Sequence, residues 1–145
     1  MKFSTKALVL GLTMVAGVAI AAEATDPTVK ARQELMDTIA MNTGILGKMA
    51  GGENPFDAAA AEGAKAAIVA ASAEIAAKFE AQASDPKSTA KEDIWANWDD
   101  FVKKGEALNA AATAMDTTTL EGVQAGMAGV GGSCKDCHTS YRIPS

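Results

Sequence analysis

Both cysteines and the single histidine of this 145-residue chain fall within five consecutive positions, Cys134-Lys135-Asp136-Cys137-His138. On a helix, positions i, i+3 and i+4 share one face, so the two thiols and the imidazole would project in one general direction. C-x-x-C-H is the order that attaches a c-type haem. Its chemical sense is direct: each thiol adds to one vinyl group of the porphyrin, and the adjacent imidazole reaches the iron from one side. A group held this way does not dissociate. One haem c, joined through Cys134 and Cys137 with His138 as an iron ligand, is the reading these residues favour.

Other uses compete for the same side chains. A structural zinc site takes four ligands, and with no further Cys or His the chain would have to recruit carboxylates. A thioredoxin-like dithiol goes with a βαβ pattern, and no stretch here alternates apolar and polar residues as a strand does. That dithiol is the standing alternative. A disulfide between the pair would close so short a loop that it removes little chain entropy.

The elements that must position this cluster read as helices. Asp26-Pro27 forms an N-cap followed by proline at the first helical position. Val29, Arg32, Leu35, Met36, Ile39, Thr43, Leu46 and Met49 then recur at threes and fours, and Gly51-Gly52-Glu53-Asn54-Pro55 ends this first helix. A second helix is expected from about Asp57 to Ala83, rich in alanine, with Ile68, Ile75 and Phe79 on one face. Ser84-Asp85-Pro86 breaks it. In the third, Ile94, Trp98, Phe101, Gly105, Leu108, Ala112 and Met115 mark a seam for packing along another helix.

Thr118 with Glu121 reads as a capping box that opens the fourth helix, whose apolar face runs through Leu120, Val123, Met127, Val130 and Cys134. Gly126, Gly129, Gly131 and Gly132 weaken it by roughly 1 kcal/mol each wherever the position is exposed. Either a bulky group approaches that face closely, or the helix frays or kinks. Four amphipathic segments joined by short loops predict an all-α fold, an up-down-up-down antiparallel four-helix bundle with the haem attached to the last helix. Aromatic residues make up only 5% of the chain, so a core of small side chains leaves room for a large apolar group.

One domain, residues 22–145, is the most this length allows after the first segment is set aside. Lys2 and Lys6 form a basic start, Ala7 to Ile20 carries no charge, and Ala19-Ile20-Ala21 has the small-x-small pattern of a secretory cleavage site. Residues 1–21 are thus expected to be a signal peptide, with Ala22-Glu23-Ala24 as a second cleavage position. A membrane anchor would need an apolar run of roughly 20 residues and a basic stop-transfer cluster, and neither is present. The mature protein is expected in the periplasm, without stable membrane insertion.

Loss of Lys2 and Lys6 lowers 13 basic residues to 11 against 18 acidic ones and moves the formal charge from −5 to −7. Such a chain repels nucleic acid and anionic lipid, and the acidity serves solubility first.

A haem motif at the C-terminus, Val130-Gly131-Gly132-Ser133-Cys134-Lys135-Asp136-Cys137-His138-Thr139-Ser140-Tyr141-Arg142, on the last helix of a four-helix bundle resembles the class II c-type cytochromes, the cytochrome c′ family. The likeness covers residues 27–142. Arg32-Gln33-Glu34-Leu35-Met36, Gly52-Glu53-Asn54-Pro55-Phe56-Asp57 and Glu92-Asp93-Ile94-Trp95 support it with less specificity.

The resemblance implies a distal haem side at the residue four after the first-helix arginine, which is Met36. It further implies Arg32 and Gln33 at a haem propionate, where guanidinium and carboxylate pair in a fork, and Arg142 beside His138. A solvated C-terminal arginine favoured by the helix dipole is the plainer account of Arg142. The resemblance to the low-spin branch of the family implies that Met36 ligates the iron as its sixth ligand; the alternative is that it only packs on the haem face. Ligation saturates the iron and suits electron transfer with redox partner proteins. An open site implies high-spin, five-coordinate iron that binds nitric oxide or carbon monoxide. A peroxidase would need distal acid and base groups, for which the sequence offers no candidate, so no enzyme activity is expected. The family also includes homodimers that meet through the first helix.

Overall fold

The computed structural model describes residues 23–144, so the expected signal peptide at 1–21 lies outside the described residues. The described chain forms α1 (Pro27–Ala50), α2 (Ala58–Ala73), α3 (Ile75–Phe79), α4 (Asp93–Ala96), α5 (Trp98–Ala114) and α6 (Leu120–Tyr141). The bundle is four-membered: α1, α2 continued by α3, α5 preceded by the single turn of α4, and α6. α1 lies most extensively along α2, and α5 along α6, while α1 and α6 close the ring less extensively.

Local chemistry sets the ends of these helices. Asp26 Oδ1 accepts from the backbone N–H of Thr28 and Val29 at 2.8 and 3.0 Å, and Pro27 follows at N1, as the sequence predicts. α1 buries Val29, Arg32, Leu35, Ile39, Asn42, Leu46 and Met49, the three-and-four spacing that turns one stripe to the core. It stops where Gly52 takes a φ of 76°, open to glycine without steric cost.

Three expectations about helix limits are corrected. The second helix ends at Phe79 rather than Ala83, with a one-residue break at Glu74, because the carbonyls of Lys78, Ala81 and Ala83 are drawn to Arg32 instead of continuing the helical ladder. Ile94 sits in α4, separated from α5 by Asn97, whose φ of −127° and ψ of 44° interrupt the helix. The cap of α6 is Thr119, whose Oγ1 accepts from Gly122 N–H at 3.0 Å, while Thr118 turns to Asp116.

The glycines of α6 divide into two kinds. A Cβ on Gly126 would stand 2.4 Å from Met115 Cγ, and one on Gly122 would stand 2.6 Å from the Asp116 carbonyl oxygen. These two let α6 fold back against the end of α5. Gly131 and Gly132 meet nothing within 4 Å. The helix itself is continuous over 22 residues, so a frayed or kinked helix does not account for them.

At the other end of the bundle, Asp85 gathers the chain. Its Oδ2 accepts from Thr25 N–H and Oγ1–H and from Asp26 N–H at 2.8–3.0 Å, and its Oδ1 accepts from Lys87 N–H at 2.8 Å. Backbone donors from Asp26, Lys87 and Thr25 hold its carboxyl well below the usual carboxylate range. The loop after α3 is thereby tied to the start of α1.

Two measurements check this account. A carboxyl depressed in the folded state stabilises above its unfolded value of about 3.9, and that stabilisation is lost as pH falls further. Asp85→Asn should therefore lower the melting temperature at pH 7, with the gap to wild type narrowing below about pH 4; a constant gap would contradict the ionic role. In urea titrations, Gly126→Ala should cost about 1–3 kcal/mol through overpacking. Gly132→Ala should be neutral or stabilising by up to about 1 kcal/mol.

Candidate haem site

α6 presents the attachment cluster along two faces. Val123, Val130 and Tyr141 are buried, and Cys134 and Cys137 lie partly buried on the same side, packed against the core. Lys135, Asp136, His138 and Thr139 are exposed. The thiols thus point inward one turn apart, and the imidazole stands at the margin between core and solvent.

Neither competing use of the cysteines finds support in this geometry. Among the described residues no group of three His, Cys, Asp or Glu side chains comes together as a ligand set, so zinc lacks its partners. A reactive dithiol needs a lowered thiol pKa. Here burial raises Cys134 and pushes Cys137 up to about 11, against a smaller opposing effect of Lys104. Two protonated, inward-facing free thiols beside an imidazole are the donor set for thioether attachment of a haem.

The opposite wall comes from α1, and two contacts fix its register against α6. Gln124 Nε2 donates to the Ala50 carbonyl at 2.9 Å, and Met127 Cε lies 3.7 Å from where a Cβ on Gly47 would stand. Followed along the antiparallel pair for about three turns, this register brings Met36 to the level of His138. Met36 is half-buried and packs against the core shared with Cys134 and Cys137. Between these levels, Thr43 Oγ1 is buried without a hydrogen-bond partner, and the register sets it level with the open backbone of Gly131. A buried hydroxyl without a partner fits a site that a further group completes.

Arg32 takes a place that the sequence does not disclose. It is 3% exposed, with its guanidinium carbon 5.0 Å from the Phe79 ring centroid and 5.2 Å from that of Trp95. Nε donates to the Lys78 carbonyl at 3.1 Å, Nη1 to the Ala83 carbonyl at 3.4 Å, and Nη2 to that of Ala81. Desolvation lowers its pKa, yet a guanidinium stays charged at any working pH. Three of its five N–H groups are spent on carbonyls.

Gln33 Nε2 likewise reaches a carbonyl, that of Lys87, at 3.0 Å. Arg142 is exposed; its backbone N–H donates to the His138 carbonyl at 3.0 Å and the residue forms an antiparallel bridge with Ala90. Partial desolvation and then the Arg142 charge hold the His138 imidazole below its usual range.

Aromatic side chains pack together at this end of the bundle. Phe101 meets Phe79, Trp98 and Tyr141 with ring centroids 5.2–5.6 Å apart. Trp95 Nε1 donates to the Phe79 carbonyl at 2.8 Å. Tyr141 donates to Asp100 at 2.6 Å, and that bond, with burial behind it, raises the phenol to about 12. The three-residue spacing of Trp98 and Phe101 in the third predicted helix marks core positions without naming a partner.

A four-helix bundle that presents a C-x-x-C-H cluster inward from its last helix defines a c-type cytochrome with one covalent haem c, since the chain has only two cysteines. A family model described as Cytochrome C′ matches residues 27–142, and the chain belongs to that family. It is 35% identical over 144 residues to a cytochrome c′ of Cereibacter sphaeroides, covering 93% of this chain and 97% of the relative. It is 32% identical over 146 residues to a cytochrome c-556 of Agrobacterium fabrum, covering 99% and 96%. The solved structure of a cytochrome c′ from Rhodobacter sphaeroides superposes with a TM-score of 0.73 at 34% identity, over 81% of this chain and 96% of that one. The protein is accordingly a haem-binding, electron-carrying cytochrome.

Arg32 offers a direct test of how this end of the bundle is held. Losing three charge-assisted hydrogen bonds and two cation–π contacts, Arg32→Ala should lower the unfolding free energy of the holoprotein by about 3 kcal/mol in denaturant titration. Arg32→Lys, which has no planar fork, should recover less than half of that loss. A loss below about 1 kcal/mol would leave the clamp without energetic weight.

Proposed function

We propose that this protein is a periplasmic one-electron carrier in which His138 ligates the haem iron on one side and Met36 on the other. The observation that carries this reading is the α1–α6 register, which sets Met36 level with His138, together with the half-buried packing of Met36 against the core shared with the two cysteines. A thioether opposite an imidazole raises the reduction potential and leaves no open position for a substrate. The bound haem supplies the one-electron couple. The chain's part is to fasten that group through Cys134 and Cys137, to hold the two ligand side chains on separate helices, and to keep water from the inward face of α6.

For Arg32 and Gln33 a propionate role and for Arg142 a place beside the proximal ligand are part of this reading; they are supported by the resemblance and, for Arg142, by its backbone hydrogen bond to His138. Periplasmic placement follows from the leader-like residues 1–21, and among the described residues no helix is long and apolar enough to cross a membrane. On the outer face of α1, Met41 is 64% and Ile45 37% exposed, which supports pairing with a second copy through that helix.

The rival reading is a five-coordinate iron that takes nitric oxide or carbon monoxide while Met36 merely packs. Optical spectra of the mature holoprotein separate the two. With Met36 as ligand, low-spin bands should be unchanged by carbon monoxide, and Met36→Ala should convert the iron to high spin and admit the gas. High-spin bands in the wild type, or a Met36→Ala spectrum indistinguishable from it, would sink the assignment.

A further inference from the structure

A cleft of about 350 Å³ opens on the outer side of the attachment helix, lined by Lys135, His138, Thr139, Arg142, Ile143 and Pro144. Neither thiol lines it, and His138 joins it to the attachment cluster. All six residues are exposed, Ile143 at 48%. Among the described residues neither Lys135 nor Arg142 pairs with a carboxylate. A third cation stands beside them: Lys91 Nζ donates to the carbonyls of Thr139 and Ser140 at 3.4 and 3.1 Å. Asp136, the one carboxylate between Gly122 and the end of α6, is drawn off to Lys104 of α5.

The result is a cationic cleft with an apolar lip on a molecule whose net charge is strongly negative. A local patch of the opposite sign steers a charged partner to one spot and orients it on arrival. Transient redox encounters need less than about 1,200 Å² of total interface, which a cleft of this size and its rim can nucleate. The cleft is also held in shape. The tail that forms its lip is pinned by Lys91 N–H to the Tyr141 carbonyl at 2.9 Å and by Ile143 N–H to the Thr89 carbonyl at 2.7 Å.

We propose that this cleft is the electron-exchange surface, where a redox protein presenting surface carboxylates docks on Lys135 and Arg142 with Ile143 and Pro144 as its apolar contact. The inference rests on the electron-carrier reading above. The electron would pass at the exposed edge of His138, with no proton or bond change on this chain.

A plant-type ferredoxin, an acidic one-electron iron–sulfur protein, serves as probe. In the transfer arm, reduced ferredoxin loses one electron and the ferric holoprotein gains it. Two acidic proteins that sense only each other's net charge react faster as salt screens their repulsion. Docking at the cleft predicts the opposite sign: a rate that falls about fivefold or more between roughly 20 and 500 mM salt. The variant Lys135→Glu with Arg142→Glu should abolish that fall, while Lys65→Glu, far from the cleft, should preserve it.

In the binding arm both proteins are oxidised, so no electron moves. Amide shifts of the labelled holoprotein should then centre on Lys135, Thr139, Arg142 and Ile143 and vanish at high salt. Shifts centred elsewhere, no shifts at all, or a wild-type rate that rises with salt would overturn the cleft as docking surface. Cleft-centred shifts with negligible transfer would instead uphold the surface and count against the electron-carrier reading.

Discussion

A buried cation without a carboxylate organises the haem end of this bundle. Arg32 of α1 lies between the rings of Phe79 and Trp95 and satisfies itself on carbonyls at and beyond the C-terminus of α3. The Lys78 carbonyl lies at the negative end of the helix dipole and the other two are loop carbonyls, so the guanidinium is compensated without a formal counter-charge. The ordering is extensive. α3 must stop where it does, the following loop must cross α1, and Trp95 must lie over the arginine and donate to the Phe79 carbonyl. Breaking a clamp of this kind leaves an uncompensated buried charge, which costs far more than the net worth of its hydrogen bonds.

How much of this was legible beforehand depends on the range of the forces involved. Caps, turns and periodicity are local, so Asp26-Pro27, the Gly51-Gly52 stop and the four apolar stripes could be read directly. The haem motif is also local, and five adjacent residues carried the cofactor. What stayed hidden is non-local. The early end at Phe79 depends on an arginine 47 positions away, and alanine-rich sequence such as Glu80–Ala83 gives no sign that its carbonyls are wanted elsewhere. The shift from Thr118 to Thr119 as cap has a similar origin, since Asp116 captures the Thr118 side chain and hands the role to its neighbour. Helical spacing placed Met36 correctly on the inner side of α1; only the register against α6 relates it to His138.

Small residues do two separate jobs in this fold. Gly122 and Gly126 bring α6 close to the end of α5, where a side chain would collide. Gly131 and Gly132 touch nothing, and the unpaired Thr43 hydroxyl falls level with the first of them. Tight packing at the far end and open backbone near the cysteines are opposite demands on one helix. The bundle meets both by packing α6 tightly where α5 turns into it and leaving Gly131 and Gly132 open beside the cysteines.

The position of the cluster on α6 also sets the order in which the molecule can be assembled. Of the four members of the ring, α6 is synthesised after the other three, and it supplies one wall to both α1 and α5. Until it arrives the other three helices surround nothing, and once it has docked both thiols face inward and are protonated. Partly buried in the closed bundle, the cysteines are more open before α6 docks than after it. Maturation and folding therefore bear on each other in time, because haem delivery meets the freest thiols while the fourth member of the ring is still loose.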